Sequence, residues 1–320
     1  MKFLNWDDVH RLAHYPTLVD AIASIYASGC SEVGRIMLSQ PTVDGDVGDF
    51  LLQPAWLRGR AFGVKIANVF PENARRGHPS ILGVYILFDG NTGEMIGCID
   101  GPAETAIKTA SNSAVASRLL SREDASTMLM MGAGNLAPYL IAAHSSIRPI
   151  RRVMIWNRSM DKAKALAAKL DRPDFKVEAV ADAAEAAGQA DLISCATYST
   201  TPILKGEWIN AGTHVDLVGS YTPEFREADD DVLRKAGRLF VDERTSTVGV
   251  SGDVIQPVEN GVISLDDITD LFELAQGKKP GRRSAKEVTV FKSGGGGHED
   301  LATALYLFDR AKALTASPAS

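Results

Sequence analysis

The spacing of apolar residues changes character near residue 120. Beyond that point short unbroken apolar runs alternate with helical stretches. Met128-Leu129-Met130-Met131 leads through Gly132-Ala133-Gly134 into a helix around Tyr139 to His144, and Arg152–Trp156, Lys176–Val180, Leu192–Ala196 and His214–Val218 follow as further strands. Asp182 stands where it caps the helix between the second and third of these four strands. Strands without polar alternation are buried on both faces, and helices between them make the sheet parallel. The pattern predicts an α/β, doubly wound Rossmann-type domain.

The first 120 residues read instead as α+β. An amphipathic helix is expected near Asp7 to Tyr26, strands around Arg35–Leu38, Phe50–Pro54 and Ala61–Val69, and a helix over Pro102–Leu120. Gly83–Asp89 and Glu94–Ile99 form an expected hairpin around Asn91-Thr92-Gly93. A late strand, Val288–Phe291, and a helix from His298 enclose four glycines, Gly294–Gly297. With structure on both sides, these glycines read as a close backbone approach to a ligand more readily than as a flexible joint. The expected division is 1–120 together with 298–320, and 121–297. Thr315–Ser320 reads as a frayed tail.

Composition narrows the classes. The chain has 320 residues, 45% of them hydrophobic, and a formal charge of −6, so it is a folded protein of enzyme size without the basic field that nucleic acid demands. No secretory leader or membrane span is read from the sequence, and the expected location is cytoplasmic. Cys30, Cys98 and Cys195 form no CxxC, and the six histidines are scattered, so no metal site is expected.

The glycine turn carries the first chemistry. Gly132 permits the tight turn, Gly134 lets backbone approach a pyrophosphate, and Ala137 lets the helix pack closely on the strand. The phosphates would meet the free N–H groups at the helix start. At the end of the next strand stand Asn157-Arg158-Ser159 rather than an acidic residue. Arg158 suits the 2′-phosphate of NADPH, with NADH as the alternative. Thr197 follows a strand at the carboxyl edge, where it either lines the nicotinamide ribose pocket or is an ordinary loop residue.

Three cations in the first half lie on different elements: Arg35, Lys65 and Lys108. Lys65, flanked by Val64 and Ile66, either faces solvent by strand alternation or is desolvated, in which case it exchanges protons or grips a carboxylate. The ordered set Gly63-Val64-Lys65, Phe70-Pro71-Glu72-Asn73, Asp100-Gly101, Thr105-Ala106-Ile107-Lys108-Thr109-Ala110, Gly132-Ala133-Gly134, Val218-Gly219-Ser220-Tyr221-Thr222-Pro223 and Phe291-Lys292-Ser293 resembles the ornithine cyclodeaminase/mu-crystallin family across nearly the whole chain.

The resemblance implies a homodimer whose first domain pairs the subunits and binds the substrate, with Arg35, Lys65 and Lys108 around the substrate's α-carboxylate and Lys65 as the catalytic group near the reacting nitrogen. The expected dinucleotide contacts are Thr109, Gly132, Ala133, Gly134, Asn135, Leu136, Asn157, Arg158, Ser159, Ala196, Thr197, Val218, Gly219, Ser220, Lys292 and Gly294. Two departures matter. Lys108 replaces the family's usual arginine and loses its bidentate geometry. Tyr221 stands where cyclodeaminases place a catalytic aspartate, which disfavours ornithine cyclisation. The reductase branch fits better: an α-imino acid becomes an amino acid by hydride at carbon and a proton at nitrogen. The substrate is then either a cyclic ketimine, Δ1-pyrroline-2-carboxylate or Δ1-piperideine-2-carboxylate, or iminosuccinate, for which Arg75, Arg76 and His298 would supply a second cationic grip. An alanine-type dehydrogenase and a mu-crystallin-like binding protein are the remaining alternatives.

Overall fold

The computed structural model describes residues 2–32, 34–42 and 45–316. They pack as two compact units, Met1–Lys108 with Gly296–Ser320, and Thr109–Gly295.

The first unit opens with β1 (Lys2–Leu4), α1 (Trp6–Leu12) and α2 (Tyr15–Ser28). One helix was expected over this span, and there are two. Pro16 lies in the first turn of the second helix, and its ring and missing N–H prevent the ladder of the first from running on. A sheet follows: β2 (Ser31–Glu32), β3 (Ile36–Pro41), β4 (Val47–Leu57), β5 (Ala61–Val69), β6 (Ile81–Asp89) and β7 (Met95–Asp100). Its order is β1-β7-β6-β5-β4-β2, with β3 also on β4. The expected turn joins β6 to β7, with Asp89 accepting from the Asn91 and Thr92 amides.

Burial alternates along β5: Ala61, Gly63, Lys65 and Ala67 face inward, and the residues between them are half-buried. Lys65 therefore lies on the core face, paired in register with Gln53 of β4 and Tyr85 of β6. Gly63 has a steric duty there, because a Cβ would come within 2.3 Å of the Tyr85 hydroxyl. The other face of the sheet holds a stack of Trp56, Phe62 and Phe88 at 4.6 and 4.9 Å.

The helix α3 (Gly101–Leu120) carries the chain into the second unit, whose elements are β8 (Thr127–Met131), α4 (Ala137–Ile147), β9 (Arg152–Trp156), α5 (Met160–Leu170), β10 (Lys176–Ala179), α6 (Ala183–Gln189), β11 (Leu192–Cys195), β12 (His214–Leu217), α7 (Asp230–Ala236), β13 (Leu239–Val241), α8 (Arg244–Thr247), α9 (Gly252–Glu259), β14 (Ile268–Asp270), α10 (Leu271–Ala275) and β15 (Thr289–Lys292). All eight strands are parallel, in the order β10-β9-β8-β11-β12-β15-β13-β14. Leu129, Met131, Ile193, Val215 and Val290 are buried in its core, as expected of strands covered on both faces. The chain winds outward from β8 through β9 to β10, then returns to β11 on the other side. This places the switch point, where such sheets bind nucleotides, between β8 and β11.

The last helix, α11 (Gly297–Ala316), belongs to the first unit and packs on α2, β4, β5 and β6. The expected tail begins inside it, and residues 317–320 lie outside the described residues.

Candidate active site

Within the first unit, β5, α3 and α11 bring two lysines and three carboxylates together. Lys65 Nζ is 3.1 Å from Glu104 Oε2 and 3.3 Å from Asp300 Oδ1. Lys108 Nζ is 3.2 Å from Glu299 Oε2 and 3.3 Å from the same Asp300 Oδ1. The carboxylate side chains are wholly buried, whereas 8% of Lys65 and 5% of Lys108 remain exposed, so the lysines alone give the cluster a surface. Tyr26 donates to Glu299 Oε1 at 3.1 Å. Three buried atoms, Glu104 Oε1, Asp300 Oδ2 and the Tyr85 hydroxyl oxygen, have no hydrogen-bond partner. Such atoms are costly in a core and common at sites of chemistry.

The charges set one another. Burial, then Asp300, pushes the Glu104 carboxyl up to about 7, against the pull of Lys65 and Lys108. Burial also opposes charge on Asp300, but Lys108 and Lys65 hold it below the usual aspartate range. For Lys108 burial is again the largest effect, and Asp300 and Glu299 overcome it, raising the ammonium above the ordinary lysine range. Lys108 is thus a fixed cation.

Arg35 lies just before β3 rather than inside a strand. Its neighbour Ile36 pairs with Leu52, and the next residue of β4, Gln53, pairs with Lys65. The half-buried Arg35 has no ion pair among the described residues, and burial lowers its affinity for its proton. A guanidinium stays charged regardless. His298 is buried, edge-on to Tyr26 at 5.0 Å and 3.8 Å from Glu299. Arg75 and Arg76 are not drawn into this cluster. Arg75 pairs with Glu72 at 2.5 Å and Arg76 with Asp46 at 3.0 Å, both on the surface. Each has a local carboxylate in place of the expected substrate contact.

In the second unit the switch point fits a dinucleotide. Gly132 has φ +119°, and a Cβ there would meet the Ala196 carbonyl at 2.6 Å, whereas a Cβ on Gly134 would meet nothing within 4 Å. Open space over Gly134 is what a pyrophosphate needs. No side chain caps the start of α4, which leaves its first N–H groups for phosphate. Asn135, Arg158 and Ser159 are exposed, and Ala133, Leu136, Asn157, Ala196, Thr197 and Val218 are half-buried around the same edge; Thr109 is half-buried on α3. Asn157 accepts from the Ala133 amide at 3.2 Å and donates to the Ser159 carbonyl at 2.9 Å, pinning the glycine turn to the end of β9.

Glu227 has no sequence signature and organises this edge. Its carboxylate accepts from the Thr197 amide at 2.7 Å, the Thr197 hydroxyl at 2.8 Å and the Gly219 amide at 2.6 Å, joining the loops after β11 and β12. Burial and Asp253 push it up to about 7, against these donors and Lys292. Asp253 in turn accepts from the Glu227 and Ala228 amides. Three of the expected cofactor contacts are corrected. Lys292 is fully buried and donates to the Leu217 and Ser293 carbonyls. The Gly294 amide donates to Asp242 at 2.6 Å, and a Cβ there would strike Thr247 at 2.1 Å, so the close approach is to the chain itself. The Ser220 hydroxyl is buried, donating to the Phe225 carbonyl and meeting Ser251 at 2.8 Å. Beneath the sheet edge Asp216 accepts from Ser113 and Ser194 and lies 3.1 Å from His144. That serine–histidine–aspartate set is wholly buried and serves packing.

A nucleotide-binding α/β unit and a lysine–carboxylate unit in one chain define an oxidoreductase that uses a nicotinamide dinucleotide. A family model described as the ornithine cyclodeaminase/mu-crystallin family matches residues 14–315, and the chain belongs to that family. The Delta(1)-pyrroline-2-carboxylate reductase of Paracoccus denitrificans (strain Pd 1222) is 35% identical over 308 residues, 96% of either chain. The structure of Thermococcus litoralis Delta(1)-pyrroline-2-carboxylate reductase in complex with NADH and L-proline matches at TM-score 0.90 and 30% identity, over 98% of each chain. An archaeal alanine dehydrogenase dimer with bound NAD matches at TM-score 0.89 and 25% identity, covering 98% of this chain and 97% of that one.

Proposed function

We propose that this protein reduces a cyclic α-imino acid, of the Δ1-pyrroline-2-carboxylate or Δ1-piperideine-2-carboxylate kind, to the corresponding L-amino acid. The observation that carries the reading is Lys65: an ammonium on the core face of a sheet, pinned by Glu104 and Asp300 and reaching the surface through a small opening. That is a positioned acid of the kind imine reduction requires. The bound dinucleotide supplies hydride to the imine carbon. Lys65 gives its proton to the imine nitrogen, which makes the carbon the better acceptor and leaves the product amine neutral. Arg35, uncommitted among the described residues, holds the α-carboxylate, and Lys108, held by Glu299 and Asp300, keeps the local field positive.

The cyclic class is supported over iminosuccinate by two features. The second carboxylate has no available grip in Arg75 and Arg76, which are spent on Glu72 and Asp46. Tyr221, 40% exposed, forms an aromatic group with Tyr198 and Phe225 at 5.3 to 5.5 Å, which offers no cation to a second carboxylate and no carboxylate base for cyclodeamination. The relative from Paracoccus denitrificans, 35% identical along nearly its full length, supports the same class. NADPH is favoured over NADH by the exposed Arg158, which makes no ion pair among the described residues. A homodimer is supported by the outer sheet face of the first unit. Trp56 is 43% exposed there, and Ile36, Met37 and Leu38 of β3 each expose about half of their surface, apolar groups that a partner subunit would cover.

The test is initial oxidation of NADPH and NADH by purified protein with each cyclic imine, and with oxaloacetate plus ammonia, which generates iminosuccinate in place. Rapid oxidation with the cyclic imines is expected. Oxidation only with oxaloacetate plus ammonia refutes the substrate class, and silence with every imine refutes the reductase.

A further inference from the structure

The cluster around Lys65 holds three carboxylates against two ammonium groups, with the His298 ring 3.8 Å from Glu299. Glu104, Glu299 and Asp300 face Lys65 and Lys108, and every member is at least nine-tenths buried. A net charge in such a place costs several kcal/mol, and one proton on a carboxyl removes it. The hydrogen bonds say which carboxyl. Asp300 Oδ1 bridges both ammonium groups, so its charge is compensated twice. Glu299 is met by Lys108 and by the Tyr26 hydroxyl. Glu104 has one ammonium on Oε2 and nothing on Oε1, and Oε1 is therefore the place for a proton.

We propose that Glu104 is the proton reservoir of the reduction: it holds the proton that restores the Lys65 ammonium after Lys65 has protonated the imine nitrogen. This rests on the reductase reading above. The step balances. The imine carbon takes a hydride, its nitrogen takes a proton from Lys65 Nζ, and the Glu104 carboxyl, turned so that its O–H takes the place of Oε2 at the 3.1 Å contact, then gives that proton to Nζ as the O–H bond breaks. Glu104 is left ionised and the dinucleotide oxidised. Glu104 has no exposure of its own, whereas part of Lys65 reaches the surface, so the reservoir is refilled from water through Lys65 once product has left. During turnover no water path to Glu104 is needed, which suits a reaction run in a covered site.

The groups that face Glu104 are Lys65 from β5, Tyr85 from β6, Lys108 from its own helix and Asp300 from α11, with Glu299 and His298 lying beyond on Lys108 and Tyr26. Among these the lysines favour its ionised form, and burial with Asp300 favours the protonated one, which sets it up to about 7. The reservoir is thus full below neutrality and empties above it.

Glu104 acts through Lys65 and is a positioning residue, so the test needs readouts that a structural role leaves alone. Infrared difference spectra across neutral pH in wild type and Glu104→Gln report the protonated carboxyl directly, without turnover. The expected result is a carboxyl carbonyl band that fades as pH rises through about 7 in wild type and is missing from the variant, over the band that Glu227, raised to the same range, gives to both proteins. The kcat against pH profile with a cyclic imine is the second readout. Wild type should lose about tenfold per pH unit above that point, and Glu104→Gln should fall by roughly tenfold at lower pH and lose this limb, with its affinity for NADPH unchanged. Absence of the band from wild type, or a variant that keeps the limb, overturns the proposal. A wild type inactive on every imine overturns the reductase reading, and the band then reports separately whether Glu104 carries the proton.

Discussion

The two units of this protein both bury carboxylates, and the groups of them at the lysine cluster and along the nucleotide edge are satisfied in opposite ways. In the first, Glu104, Glu299 and Asp300 meet ammonium groups and a tyrosine hydroxyl. In the second, Glu227, Asp242 and Asp253 meet chiefly backbone amides: those of Thr197 and Gly219, of Gly294 and Gly295, and of Glu227 and Ala228. Amides are fixed donors that do not release protons near neutral pH, so a carboxylate that accepts from them holds loops in place. Ammonium and carboxyl groups exchange protons, so a cluster made of them conducts chemistry as well as structure. Burial alone does not distinguish the roles; the identity of the donor does.

The sharpest way to break this contrast is to remove the exchangeable cation. Lys65→Met should lower imine reduction by a factor on the order of 10²–10⁴, the usual worth of a positioned acid, while a fluorescence titration finds NADPH bound as before. A variant that still turns over at wild-type rate refutes the assignment. The matching change in the second unit is Glu227→Gln, which offers an NH₂ where Thr197 or Gly219 needs an acceptor. One buried N–H is then unpaired, at a cost of about 1–3 kcal/mol. That cost should appear as weaker dinucleotide binding, roughly tenfold to a hundredfold, without a new limb in the pH profile. If Glu227→Gln instead changes the pH profile and leaves binding alone, the two regions are not as different as their donors imply.

How far such roles are legible in sequence depends on whether partners are close along the chain. Most of the parallel sheet was readable because unbroken apolar runs and the glycine turn are local features: six of its eight strands agree with expectation to within a residue or so at either end, whereas the three-residue strands β13 and β14 are too short to show in the pattern. Lys65 drew notice as a lysine among apolar neighbours, although its face was open until register placed it against Tyr85. Glu104 lay four residues before Lys108, a spacing that puts two side chains on one helix face, and that signal was available. Glu299 and Asp300 directly follow His298, so the third element of the cluster was nearly reached, with attention on the histidine instead of the carboxylates. Glu227 was illegible. It joins Thr197 and Gly219 across separate loops, and nothing in its immediate neighbours marks it. Lys292 and Gly294 were misread for a related reason, since a sequence shows that a lysine or glycine is in place but not whether its own chain already occupies it.

A smaller effect sharpens the reading of the nucleotide edge. Arg158→Ser removes the one exposed cation of the Asn157-Arg158-Ser159 turn, and should weaken NADPH by about tenfold relative to NADH, the worth of a single charge-assisted contact of about 1.5 kcal/mol. Steady-state KM values for both cofactors give the ratio. An unchanged ratio shows that Arg158 is a solvated turn residue and removes the support for NADPH.

The smallest effect concerns stability and separates the second unit's neutral core from the charged cluster. Burial lowers the pKa of His214 from 6.5 to about 3, against the pull of Asp216, and its Nδ1 meets the Thr289 hydroxyl at 2.9 Å. The folded protein keeps this ring neutral where the unfolded chain would protonate it. The sign follows: stability is complete above about 6.5 and is lost as pH falls from there toward about 3, because only the unfolded state gains the proton. The slope is about 1.4 kcal/mol per pH unit for one group, or roughly 2 kcal/mol between neutrality and pH 5. Urea unfolding at both pH values should show that loss in wild type. His214→Asn keeps a polar partner for Thr289 and carries no titrating ring, so it should be less stable at neutral pH yet lose less on acidification. Equal losses in the two proteins would mean that another group dominates the acid response.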